Sequence, residues 1–71
     1  MAHPLQARKL AKDTLAFHSQ RVGNQEEDLE TRMSDLLADL MHLAKSKALP
    51  FEELVQHAHR NFQAELMEYP D

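Results

Sequence analysis

The sequence predicts an all-α domain: a three-helix up-down bundle, with helices at about 4–21, 28–46 and 50–67, that pairing with a second copy would complete. Three observations predict it. Apolar residues recur at spacings of three and four along most of the chain. No run alternates β-branched and polar residues as a half-buried strand does. The residues that break helices, Gly23 and the three prolines, fall where the apolar pattern stops or starts.

Pro4 suits a first helical turn, where its missing N–H costs nothing. From there Leu10, Thr14, Phe17 and Arg21 form one stripe and Ala7, Ala11, Leu15, His18 and Val22 the next, which together make one mostly apolar face. Gly23 stands where a left-handed cap belongs, with Asn24 after it. The second helix has the clearest pattern. Asp28 is the expected N-cap, with Glu26 and Glu27 ahead of it. Leu29, Met33, Leu36, Leu40 and Leu43 form its stripe, and Leu37, Met41 and Ala44 widen the apolar arc to about 160°. An arc that wide calls for contact on two sides. Lys47 interrupts the heptad after barely two repeats, so a long coiled coil is not expected. The third helix opens near Pro50, carries Glu52 and Glu53 at its positive end and places Phe51, Leu54, Val55, Ala58, Phe62 and Leu66 on one stripe before Pro70. The short links between helices favour antiparallel neighbours.

At 71 residues and 8.2 kDa the chain is one domain, 1–71. A chain of this size buries only roughly 60% of its unfolded surface, and without cysteine it has neither a disulfide nor a thiolate metal site to add stability. The remaining sources are helix packing and a partner. The longest apolar run is three residues, which excludes a transmembrane helix, and the start of the chain has no stretch like a signal peptide, so a cytoplasmic protein is expected.

The charge of −4 is unevenly placed. Residues 1–22 carry four cations and one acid, residues 23–44 one cation and six acids, and residues 45–71 three cations and five acids. Four cations on the first helix are thin evidence for a nucleic-acid surface, and the three phenylalanines all fall on core stripes, so nucleic-acid binding is not expected. No serine or threonine lies in a glycine elbow, and Gly23 alone cannot build a phosphate cradle. Asp35, Asp39 and His42, at i, i+4 and i+7 on the second helix, form the one candidate metal set. Their stripe lies roughly opposite the leucine stripe, so it is expected to face solvent. His57 and His59 point to different sides, no H-E-x-x-H occurs, and His18 reads as a histidine at the edge of the core.

Residues 33–44, followed by Leu49-Pro50-Phe51-Glu52-Glu53-Leu54 and Asn61-Phe62, resemble a family of small uncharacterised bacterial all-helical proteins with a D-L-x-x-D-L-M-H core, here Asp35 to His42. More distantly the helix pair is similar to MazG-type all-α nucleotide pyrophosphohydrolases. Those hold magnesium over a nucleoside triphosphate with E-x-x-E on one helix and E-x-x-D on the next. Asp39 matches the final acid of that set. Leu36 stands where its glutamate would be, and the first helix carries no E-x-x-E, so the resemblance implies the fold with the catalytic metal set lost.

The resulting expectation is a non-enzymatic protein-interaction module, without a cofactor, that forms a homodimer through Leu37, Met41 and Ala44. These three exceed what a single helix contact requires. Two alternatives stand beside it: a nucleotide hydrolase or its degenerate relative, binding Mg2+ or Mn2+ at Asp35, Asp39 and His42, and a small acidic inhibitor of a larger protein.

Overall fold

The computed structural model describes residues 3–70. They form three helices in the order predicted: α1, Pro4–Val22; α2, Leu29–Ser46; and α3, Phe51–Glu68. All regular structure among the described residues is helical, and no helix is long and apolar enough to cross a membrane.

The helix ends follow local chemistry. The His3 ring accepts a hydrogen bond from the Leu5 N–H at 3.1 Å, ahead of Pro4. Gly23, at φ 79°, donates its N–H to the Ser19 carbonyl and closes α1 in the left-handed region. Asp28 caps α2 by accepting from the Thr31 N–H at 2.8 Å. Hydrogen bonding from Thr31, side chain first and backbone second, holds the Asp28 carboxyl below its ordinary value of 3.8. A carboxyl depressed in the folded state contributes stability above its unfolded value and loses it as pH falls through the folded one. Asp28→Ala should therefore lower thermal stability at neutral pH and flatten the decline below about pH 4, as a melting series against pH would read.

The second turn contains a feature with no glycine to signal it. Ala48 has φ 55°, left-handed backbone at the C-terminal end of α2. The Leu49 N–H reaches back to the Ala44 carbonyl at 2.8 Å, and the Ala48 N–H to that of Lys45 at 3.1 Å. An alanine Cβ in this region costs roughly 1–2 kcal/mol, partly offset by the smaller backbone entropy it loses on folding. Ala48→Gly should raise stability by up to about 1 kcal/mol in a urea titration; a loss would mean that the turn is not held left-handed in solution.

Packing departs from the expected core. α2 packs against both neighbours, α1 along its first half and α3 near the turn. His3 and Tyr69 bring the two ends of the described chain together, ring centroids 4.6 Å apart. The Cα envelope is a slab, 36 × 30 × 15 Å, around helices each about 27 Å long. Its radius of gyration is 13.7 Å, against about 11 Å for a compact chain of this length. Among the described residues the only buried apolar ones are Leu15 and Ala44, at 6% and 4% exposure. Leu10 and Phe17 on α1, Leu29 and Leu43 on α2, and Phe62 on α3 were expected in a core and are instead exposed. The helices form as expected, but each buries only a small part of its apolar arc within one chain.

Candidate functional site

Where α1 ends and α2 begins, three polar contacts tie the helices together. Ser19 is fully buried, and its hydroxyl accepts from the Arg32 Nε at 2.9 Å. The Asn24 amide donates to Asp35 Oδ2 at 2.9 Å. His18 Nε2 lies 2.6 Å from Asp39 Oδ2. An ionised carboxylate only accepts, so Nε2 carries the proton of this bond. The other ring nitrogen, Nδ1, is buried with no hydrogen-bond partner among the described residues, as is the Asn24 Oδ1.

Asp35 and Asp39 are exposed, as the position of their stripe opposite the leucines predicts, and His18 of α1 and Asn24 of the following loop reach them as well. The structure does not bring the expected set of Asp35, Asp39 and His42 to one hollow. The two aspartates line a shallow hollow with His18 and Asn24, while His42 lines another with Met41, Lys45 and Leu49 on the α3 side. Among the described residues no three His, Cys, Asp or Glu side chains gather in a metal-holding group. The partners of the two aspartates were not legible from the sequence, because helical spacing relates residues within α2 and says nothing about which α1 residues lie across from it.

The larger feature is apolar. α1 and α2 enclose an open groove of about 570 Å3. Leu15, Met33, Leu36, Leu37 and Leu40 supply its apolar surface. On the α1 side the small Ala11 and Ala16 keep the wall low. Arg8, Lys12 and Arg32 rim it, and none of the three takes part in an ion pair among the described residues.

The predicted contact residues fall in three places. Leu37, 49% exposed, lines this groove. Met41, 52% exposed, lines the hollow between α2 and α3. Ala44 departs from the expectation: it is buried within the chain at the α2–α3 turn, where Leu49 folds back onto its carbonyl, and so it serves the protomer's own packing. No protein-family model matches this chain, and no curated protein or solved structure matches it.

Proposed function

We propose that this chain is a protein-interaction module that self-associates, acting by binding rather than by chemistry, with Leu37 and Met41 in the contact surface. One observation carries the reading. The chain exposes 6157 Å2, whereas a compact monomer of this mass exposes about 4,500 Å2. The surplus, roughly 1,600 Å2, is about twice what each partner contributes to a standard protein interface. Much of the extra surface is apolar, since the large side chains of all three helices lie open. Apolar surface in this amount is normally covered by a partner.

Sedimentation equilibrium of the isolated chain tests the reading. A monomer–dimer equilibrium in the micromolar range is expected, with a melting temperature that rises with protein concentration. A single monomeric species with a melting temperature independent of concentration would overturn it.

A further inference from the structure

We propose that the α1–α2 groove is occupied by helix α3 of a second copy of this chain, docked reciprocally so that each protomer both gives a helix and receives one. This rests on the self-association reading and specifies its geometry. Every residue lining the groove belongs to α1 or α2. The chain's own α3 leaves the tight turn at Ala48–Leu49 and buries none of its residues. Leu54, Val55, Phe62 and Leu66 on its stripe are all more than 40% exposed. One protomer therefore carries both halves of an apolar contact, and within the chain the two halves do not meet.

Dimensions and charge agree. From Leu54 to Leu66 the stripe is about 18 Å long, and the α2 wall of the groove, Leu29 to Leu40, is about 16 Å. On a helical projection Glu52 and Glu68 border the α3 stripe on its two sides. Helix α3 carries four glutamates against Arg60, and none of these is in an ion pair among the described residues. The groove presents Arg8, Lys12 and Arg32. Acids flanking the guest helix thus face cations rimming the host groove, an arrangement that favours this docking over groove against groove, which would bring Arg8, Lys12 and Arg32 of the two copies together. Two equivalent contacts cover about twice the standard area per partner, in line with the surplus surface of roughly 1,600 Å2.

The absence of cysteine makes the test direct. Met33→Cys places a thiol in the groove, and Ala58→Cys places one in the middle of the α3 stripe with little change in volume. The two single variants are mixed and oxidised mildly, so any disulfide between positions 33 and 58 must join two chains. The mixed disulfide is expected to exceed both symmetric ones several-fold, by intact mass. Symmetric 33–33 disulfides predominating in a protein that sediments as a dimer would overturn the docking while leaving self-association intact. A chain monomeric at every concentration would overturn both. A charge test is independent of crosslinking. Arg8→Glu with Lys12→Glu should weaken the dimer about tenfold at low salt, and mixing that variant with Glu52→Arg plus Glu68→Arg should restore pairing between the two. Failure of the mixed pair to form would count against the docking.

Discussion

Replacing Leu37 and Met41 together by glutamate should leave a helical chain that sediments as a monomer at concentrations where the parent is a dimer. Both side chains are about half exposed in the protomer, and substitutions at such positions usually change a monomer's own stability by no more than about 0.5 kcal/mol. In a contact surface the same changes act twice. Each removes about half of the 1.5–3 kcal/mol that full burial of such a side chain is worth, since the protomer already covers the other half, and brings a carboxylate that must lose water. A loss of about 4 kcal/mol corresponds to a dimer roughly a thousandfold weaker. Sedimentation equilibrium reads the association, and circular dichroism shows whether the helices persist. An unchanged dimer would place the contact elsewhere. Ala44→Glu is the contrasting case: Ala44 is buried inside the chain, so its replacement should unfold the α2–α3 turn rather than merely separate two folded protomers.

Leu15→Ala should have the larger effect on folding itself. Leu15 is the one large apolar side chain buried among the described residues. It lies on α1 one turn before Ser19, whose hydroxyl receives the Arg32 guanidinium. Truncating a buried leucine costs about 2–5 kcal/mol. A domain of this size has about 3–5 kcal/mol in total from its core, so the variant should be largely unfolded at low concentration and regain helix only as association is driven by mass action. A urea titration at two protein concentrations measures both effects. A loss under about 1 kcal/mol, the same at both, would show that Leu15 is not the packing centre of the α1–α2 pair.

The helices were legible in the sequence to within about two residues, because their signals are local. Pro4, Gly23 and Asp28 each act on backbone groups one to four residues away, and all three occupy the predicted roles. The left-handed turn at Ala48 was not legible, since alanine gives no sign of positive φ. It is held by the Leu49 and Lys47 N–H groups closing on α2 carbonyls.

The candidate sites divide along the same line. That Asp35 and Asp39 share a face follows from 3.6 residues per turn. That Asn24 and His18 reach them depends on the angle at which α1 returns across α2, which the composition of either helix does not encode. Likewise the periodicity identified the apolar residues of all three helices but not which would be covered. Leu15 and Phe17 stand on adjacent stripes of α1, yet one is buried and the other open.

By itself, then, the sequence determined the class, the number and the ends of the helices, because propensity, capping and periodicity operate within a few residues. Only the tertiary structure decided that the three helices spread into a slab, that the acidic stripe of α2 meets α1, and that an apolar groove with a basic rim and an apolar stripe with an acidic border lie open on the same chain. Those outcomes depend on interhelical angles set by a few contacts at the turns, where Ser19, Asn24 and Ala44 are buried and most of the larger apolar side chains are not.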